Sequence, residues 1–243
     1  MATVAVYSLK GGVGKTTLAV NLAWCSATLS RRRTLLWDLD PQAAATFVIG
    51  PEGKPRDRAQ AIFTHDVEPK KLVQHTAVDR LDLIPADSSL RGLDQLFHEL
   101  DKKKRLAKLL GQLDKAYDRM LLDCPPGLTE TSEQVMRAAD LIVVPVIPSP
   151  LSARAFAEIA AHLDRKGGKV PLLPVHSIVD RRRKLHAEAV AANPDWPVIP
   201  MASVVEAMAV HRMAVGGYAA RTAGAQAFAA LWQSIERKLV ARR

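Results

Sequence analysis

The chain has 243 residues, of which 48% are hydrophobic and 24% charged, a composition typical of a globular protein with a substantial buried core. Its 34 lysines and arginines outnumber its 25 aspartates and glutamates and give a formal net charge of +9, so its surface should attract polyanions such as nucleic acids. Only two cysteines, Cys25 and Cys124, are present and they form no CxxC pair, which argues against a zinc site or a disulfide framework.

The N-terminal segment does not have the pattern of an export signal. It runs directly into an apolar strand, without a basic leader and a long apolar segment, so we expect no signal peptide. No segment has the roughly 18 uninterrupted apolar residues of a membrane-spanning helix. With only two cysteines in the chain, this predicts a cytoplasmic location.

The first element is a β-branched, apolar run that breaks into glycines and then Lys-Thr-Thr, MATVAVYSLKGGVGKTT. Gly11, Gly12 and Gly14 permit backbone torsions and a close approach, so successive backbone N–H groups can point at phosphate oxygens. Lys15 adds a positive charge, and Thr16 adds a hydroxyl for Mg²⁺. The segment therefore predicts a strand, a phosphate-binding loop and a helix, in that order.

The rest of the chain alternates short apolar strands with helical patterns. A helix over Thr16–Leu29 follows the loop, and later helical patterns cover Leu151–Lys166 and the stretch Phe228–Val240. The other predicted strands are Thr34–Trp37, Leu81–Ile84, Met120–Asp123, Leu141–Ile147, Val170–Val175 and Trp196–Ile199. This alternation predicts an α/β fold, a doubly wound, mainly parallel sheet with helices on both faces. Gly50–Arg58 reads as a loop, and no linker divides the chain, so we expect residues 1–243 to form a single domain.

Aspartates stand at the carboxyl ends of two predicted strands. Asp123 ends the run MLLD, and Asp38 and Asp40 lie in the segment WDLDPQ after another strand. Ligands of open α/β sheets collect beyond the carboxyl ends of the strands, where a carboxylate can position magnesium directly or through water. The sequence therefore predicts that Thr16, Asp40 and Asp123 form a magnesium site beside the loop.

Two segments carry a family resemblance. The strict P-loop pattern has glycine where Leu9 stands, and here Lys10 precedes the glycine pair; KGGVGKTT resembles the deviant Walker A box of the ParA/MinD family of dimerising P-loop ATPases. DLDPQ is similar to the second box of the ParA family. The resemblance implies that Lys10 reaches the nucleotide of a partner subunit, that Lys15 is catalytic, and that Asp40 orients or deprotonates the attacking water. It implies ATP and Mg²⁺ as cofactors, with the nucleotide held by Lys10, Gly11, Gly12, Val13, Gly14, Lys15, Thr16 and Thr17.

The resemblance extends into the C-terminal third. Ser177, Pro200 and Met201 stand where the family contacts the adenine base. The basic run 181–184 opens a predicted helix, and ParA relatives bind DNA nonspecifically through basic residues of this region, which needs only phosphate contacts. The implied DNA contacts are Arg181, Arg182, Arg183, Lys184 and Arg221. Lys102–Arg105, on another predicted helix, is expected to be a solvated face.

The resemblance implies a ParA-like ATPase that forms an ATP-dependent homodimer, binds nonspecific DNA, associates with the nucleoid in that state, and responds to a ParB-like or other stimulating protein. Its slow hydrolysis would segregate or position a plasmid, a chromosome or a protein assembly. A MinD-like membrane-associated ATPase is the main alternative, because the apolar stripe within Phe228–Val240 could lie on a membrane. We favour packing of that stripe on the sheet, and thus no membrane partner. An iron–sulfur carrier that uses Cys124 and a small-molecule ligase of the dethiobiotin-synthetase kind are further alternatives.

Overall fold

The computed structural model describes residues 1–53, 58–64, 66–100 and 104–241. Its centre is an eight-stranded sheet in the order β3-β4-β2-β5-β1-β6-β7-β8. The strands are β1 (Ala2–Val6), β2 (Thr34–Asp38), β3 (Gln74–His75), β4 (Leu81–Ile84), β5 (Arg119–Asp123), β6 (Leu141–Val146), β7 (Leu172–Val179) and β8 (Val198–Pro200). Every pairing is parallel except that of β3 with β4. The prediction of a mainly parallel sheet is confirmed.

Helices connect the strands and cover the sheet. In the described part of the chain they are α1 (Lys15–Thr28), α2 (Ala44–Ile49), α3 (Ala61–Thr64), α4 (Pro69–Leu72), α5 (Leu93–Leu100), α6 (Arg105–Gly111), α7 (Glu130–Ala138), α8 (Pro150–Arg165), α9 (Lys184–Ala192), α10 (Ser203–Glu206), α11 (Met208–His211), α12 (Val215–Tyr218) and α13 (Ala223–Val240), with a 3₁₀ helix at Ser88–Gly92. The predicted helices Thr16–Leu29 and Leu151–Lys166 are confirmed to within one residue at each end. The C-terminal helix is also present, but it begins at Ala223, before the predicted stretch Phe228–Val240.

The two faces of the sheet bury separate apolar clusters. On β1, Val4 and Val6 point into the cluster under α1 and α13. Ala5, and Tyr7 just after the strand, point into the cluster under α5, α6, α7 and α8. Because successive side chains of a strand point to opposite faces, a strand buried on both sides is apolar throughout. The doubly wound arrangement with helices on both faces is confirmed.

The C-terminal helix α13 packs on the sheet. Trp232 and Ile235 are fully buried, and the indole N–H of Trp232 donates to the Ser30 hydroxyl at 2.8 Å. Of the predicted apolar stripe, only Val240 is exposed. The stripe is therefore committed to the protein core, as we favoured from the sequence. No helix among the described residues is long and apolar enough to cross a membrane.

The structure differs from the sequence expectations in several elements. Strand β7 covers Leu172–Val179 rather than the predicted Val170–Val175. Its outer residues pair with β8, which covers Val198–Pro200 rather than Trp196–Ile199. The edge strand β3 has only two residues and left no recognisable pattern. Helix α9 begins only at Lys184, so the basic run 181–183 lies in the turn before it.

The basic run Lys102–Arg105 was expected to be a solvated face, but it contains a buried arginine. Arg105 is 2% exposed, and its guanidinium donates to the carbonyls of Phe63 and Ile62 at 3.1 and 3.2 Å. Its long side chain thus ties α6 to the end of α3, because a buried guanidinium requires hydrogen-bond acceptors. Lys104 is exposed, and the other two lysines of the run lie outside the described residues.

Candidate nucleotide site

The glycine-rich loop connects the end of β1 to the start of α1. Gly12 and Gly14 adopt positive φ values of 69° and 89°, a left-handed backbone that favours glycine. Gly14 is the N-cap of α1 and has no side chain to satisfy the first backbone N–H groups of the helix. The loop therefore offers several N–H donors and the positive end of a helix dipole, the usual setting for a phosphate.

The two lysines of the loop occupy different positions. Lys15 is 7% exposed, and its Nζ donates to the carbonyl of Lys10 at 3.3 Å across the loop. Lys10 is half-buried, and its Nζ points toward the Ser152 hydroxyl on α8, at 3.5 Å. Lys15 thus lies inside the loop, whereas Lys10 lies at its outer side, against another helix.

Thr16 and Asp123 form the best-defined polar pair of the site. The Thr16 hydroxyl donates to Oδ2 of Asp123 at 2.7 Å, and the other carboxylate oxygen, Oδ1, is buried without a hydrogen-bond partner in the described structure. Burial and the nearby charge of Asp38 hold the pKa of Asp123 well above its usual range. A buried oxygen without a partner is costly, so this carboxylate is arranged for a cation or a water that the protein alone does not supply.

The carboxylates that follow β2 divide into a fixed one and an accessible one. Asp38 is fully buried and accepts hydrogen bonds from the backbone N–H groups of Asp40 and Thr46 and from the Thr46 hydroxyl, at 3.1, 2.9 and 2.8 Å. Burial raises the pKa of Asp38 to about 6. Asp40 is only half-buried, and its Oδ1 accepts the backbone N–H of Gln42 at 2.9 Å. Asp38 thus shapes the loop that presents Asp40.

These elements surround one open cavity of about 680 Å³. Its lining residues come from the loop, from the segment after β2, from the segment after β5 and from β7: Gly11, Gly12, Gly14, Lys15, Thr16, Thr17, Asp40, Pro41, Gln42, Pro125, Pro126 and Ile178. A Cβ built on Gly11 or Gly12 meets no atom within 4 Å, so the loop backbone faces open space. The glycine loop, Lys15 and the unpartnered Asp123 oxygen fit a nucleoside triphosphate with Mg²⁺.

The three predicted base contacts lie together around a smaller adjoining cavity of about 140 Å³. Ser177, Pro200 and Met201 line it with Gly14 and Thr17 of the loop. The Ser177 hydroxyl also donates to the carbonyl of Val13 at 2.8 Å, so this residue fixes the loop. The side chain of Val13 is buried, so this residue takes part in the phosphate-binding loop through its backbone.

Ile178, which was not among the predicted site residues, lines both cavities. It has a φ of 56°, a left-handed conformation that is strained for a β-branched residue and that recurs at functional sites. An isoleucine in an apolar strand gives no sequence signal of such a backbone. Pro125 and Pro126 were also missed, although their position after the Asp123 strand could have indicated them.

The predicted DNA contacts are all on the surface. Arg181, Arg183 and Arg221 are exposed, and Lys184 lies 3.7 Å from Glu188 on α9. Arg182 is exposed but forms two hydrogen bonds with the carboxylate of Asp180, at 2.9 and 3.0 Å. The basic run is therefore available to a ligand, although Asp180 compensates part of its charge.

The cysteines do not support a cluster site. Cys124 and Cys25 are buried at 0% and 2% exposure, and burial raises the pKa of both thiols. Within the described ranges, no group of three or more metal-binding side chains is present. The positions of these cysteines therefore argue against the iron–sulfur alternative, which needs a thiolate at the subunit surface.

Three comparisons place this geometry among known proteins. The family model described as "AAA domain" matches residues 1–167. The virulence plasmid ParA family protein pGP5-D of Chlamydia psittaci is 33% identical over 191 residues, which cover 77% of this chain and 73% of that one. The sporulation initiation inhibitor protein Soj of Bacillus subtilis is 36% identical over 145 residues, 59% of this chain and 57% of that protein. Cobyrinic acid a,c-diamide synthase of Mycobacterium smegmatis, solved with an ATP analog and magnesium, superposes with a TM-score of 0.84 at 25% identity, over 100% of this chain and 97% of that one.

The parallel sheet and the glycine loop between β1 and α1 define a P-loop nucleotide-binding protein of the deviant Walker A class. The chain belongs to the ParA/Soj family of partition and positioning ATPases, since it covers most of pGP5-D at 33% identity.

Proposed function

We propose that residues 1–243 form a single ATPase domain that binds ATP with Mg²⁺, closes into a homodimer, holds nonspecific DNA and uses hydrolysis to segregate or position a cargo. The observation that carries the proposal is the convergence of Lys15, Thr16, Asp40 and the glycine loop on one cavity, beside the unpartnered carboxylate oxygen of Asp123. The ATP analog and magnesium in the M. smegmatis synthase support the same cofactors here.

The roles of the residues follow from their positions. Lys15 and the backbone N–H groups of the loop bind and orient the phosphates, because they provide fixed positive charge at a helix N-terminus. Thr16 and Asp123 would hold the magnesium ion, which would supply positive charge to the phosphates. Asp40 would add a carboxylate to the metal site and would align the attacking water, since its carboxylate is reachable from the cavity and Asp38 fixes the backbone behind it.

Dimerisation would depend on Lys10. Its ammonium group contacts only the Ser152 hydroxyl, a neutral acceptor at 3.5 Å, within the described chain. Such a contact is weak, so the side chain can leave α8 at little cost and pair with the phosphates of a second subunit. A partner protein that favours this closed state would stimulate hydrolysis.

DNA binding would use the basic surface after β7 and before α13. Arg181, Arg182, Arg183, Lys184 and Arg221 are exposed there, and contacts between these side chains and phosphates require no base recognition. The overall charge of +9 favours the same ligand, and a dimer doubles it. The ATP-bound dimer would accordingly associate with the nucleoid.

A small-molecule ligase is the second candidate, because the M. smegmatis synthase matches the entire chain in fold. The two candidates differ in what accelerates ATP consumption. A partition ATPase responds to DNA and a partner protein, whereas a ligase responds to a small carboxylate or amine substrate. The buried stripe of α13 gives no support to the membrane alternative.

The proposal is tested with Asp40→Ala on two unrelated DNA duplexes. The ATPase rate of the variant should fall by about 100-fold or more, because the alignment of the attacking water is lost. The variant should remain bound to both duplexes in the presence of ATP, because phosphate binding is kept. The wild type should bind both duplexes equally, and its affinity should fall steeply with salt.

Arg182→Glu combined with Arg183→Glu is the matched control, since it should abolish DNA binding and spare nucleotide binding. Hydrolysis by Asp40→Ala at the wild-type rate would remove Asp40 from the mechanism. Binding that prefers one duplex, or that ignores salt or ATP, would refute the DNA half of the proposal.

A further inference from the structure

A second cleft of about 680 Å³ lies at the edge of the sheet opposite to the nucleotide cavity. It opens beside the N-terminal ends of β1 and β6 and is bounded by α7, by the end of α8 and by the segment before β7. It shares no lining residue with either nucleotide cavity. The role proposed above for the P-loop therefore leaves this cleft unexplained.

Ion pairs fix the walls of the cleft. Glu133 on α7 accepts a hydrogen bond from Arg137 Nη2 at 2.9 Å and contacts the imidazole of His162 on α8. Lys166, just after α8, lies 3.9 Å from the same carboxylate. Because the Glu133 side chain is largely buried, with 14% exposure, this network ties α7 to the C-terminal end of α8.

The cleft has an excess of positive charge. Its lining includes four permanent cations, Lys104, Arg137, Lys166 and Lys169, against the carboxylates Glu133 and Asp140. Asp140 accepts the backbone N–H of Thr3 at 2.8 Å, and Glu133 is already surrounded by cations. Lys104 and Lys169 are exposed and form no ion pair within the described part of the chain.

Apolar side chains form the rest of the lining. Met136, Leu163 and Leu239 contribute to it from α7, α8 and α13, and Val170 adds a half-exposed side chain near Lys169. The cleft therefore offers apolar contacts as well as cations. A complementary ligand must carry negative charge and apolar groups together.

We propose that this cleft binds an acidic segment of a partner protein, with glutamate or aspartate side chains next to one or two apolar ones. The cations come from four elements around the cleft, and two of them, Lys104 and Lys169, form no ion pair among the described residues, so the cleft can accept more than one carboxylate. A DNA backbone offers phosphates to the cations but no apolar side chain to Met136, Leu163 and Leu239, so an acidic peptide with apolar residues fits the cleft better. This interaction is independent of the nucleotide site.

The test uses the whole chain and a fluorescein-labelled synthetic hexapeptide, Glu-Leu-Glu-Glu-Leu-Glu, with fluorescence anisotropy at low salt. A second peptide with Gln in place of Glu measures the contribution of charge. The variant Lys104→Glu with Lys169→Glu removes the free cations of the cleft, and Lys70→Glu with Lys71→Glu makes the same charge change at exposed positions on α4. Thermal unfolding checks that both variants are folded.

We expect the cleft variant to lose about tenfold or more in affinity for the acidic peptide, and the α4 variant to change by about twofold or less, because screening weakens distant charges. Mg²⁺ and ATP should leave the affinity unchanged. Equal binding of the Gln peptide, or an equal loss in the α4 variant, would overturn the proposal. DNA that displaces the peptide and needs Lys104 and Lys169 itself would replace it with a nucleic-acid surface.

Discussion

The protein without nucleotide should become less stable as the pH rises, because two buried carboxylates of the site hold protons more tightly when folded. Burial raises the pKa of Asp38 to about 6. Burial and the charge of Asp38 raise the pKa of Asp123 well above its ordinary value. The folded chain therefore binds more protons than the unfolded chain over the range between the ordinary and the raised pKa values.

The size of the effect follows from Asp38. An unfolded aspartate has a pKa of about 3.9, so the rise of the Asp38 pKa to about 6 corresponds to about 3 kcal/mol. This contribution to the free energy of unfolding is fully present below about pH 4 and is lost as the pH rises through about 6. The pKa of Asp123 is raised in the same direction, so its contribution to the free energy of unfolding is also lost as the pH rises.

Asp123→Asn isolates the second carboxylate. The amide keeps an oxygen that can accept the Thr16 hydroxyl, but it does not titrate and adds no charge beside Asp38. The free energy of unfolding should then fall less steeply with pH, and at about pH 8 the variant should be more stable than the wild type. It should nevertheless bind Mg²⁺ poorly, because a carboxylate is the better ligand.

Urea denaturation without nucleotide at several pH values measures this difference. Asp114→Asn removes an exposed aspartate and is the matched control, expected to follow the wild-type curve. If the free energy of unfolding of Asp123→Asn falls with pH as steeply as that of the wild type, the raised pKa of Asp123 in the folded chain is refuted.

Two further variants test the loop and the packing behind it. Lys15→Ala should abolish ATP binding in a calorimetric titration, because the charge that compensates the phosphates is lost; affinity near the wild-type value would contradict the P-loop assignment. Gly216→Ala should destabilise the fold by about 1–3 kcal/mol, because a Cβ there would lie 2.2 Å from the Trp24 ring. Gly111→Ala, where a Cβ meets nothing within 4 Å, is its control and should unfold at nearly the wild-type urea concentration.

The sequence predicts the fold and the inner part of the site well, because both depend on local patterns. Apolar runs buried on both faces make the central strands β1, β2 and β5 recognisable, and a loop of glycines and Lys15 has few other uses. Asp40 and Asp123 could be placed near that loop because parallel strands end at one edge of the sheet. The structure brings both together with Thr16 as expected.

The rest depends on contacts between residues far apart in the sequence. The burial of Arg105 follows from its fit to carbonyls at the end of α3, which no charge pattern reveals. The strained backbone of Ile178 and the partner of Arg182 are also tertiary features. The contacts of Glu133 on α7 with His162 and Lys166 border the second cleft, and in the sequence these residues look like ordinary surface charges.

Light scattering coupled to size-exclusion chromatography tests the central claim, that nucleotide controls a dimer through Lys10, most directly. With ATP and Mg²⁺, Asp40→Ala should elute as a dimer of twice the 26.5 kDa chain mass, and the same variant with ADP should be a monomer. Adding Lys10→Ala to it should leave a monomer that still binds ATP. A dimer that forms equally with ATP, with ADP and without Lys10 would contradict the account.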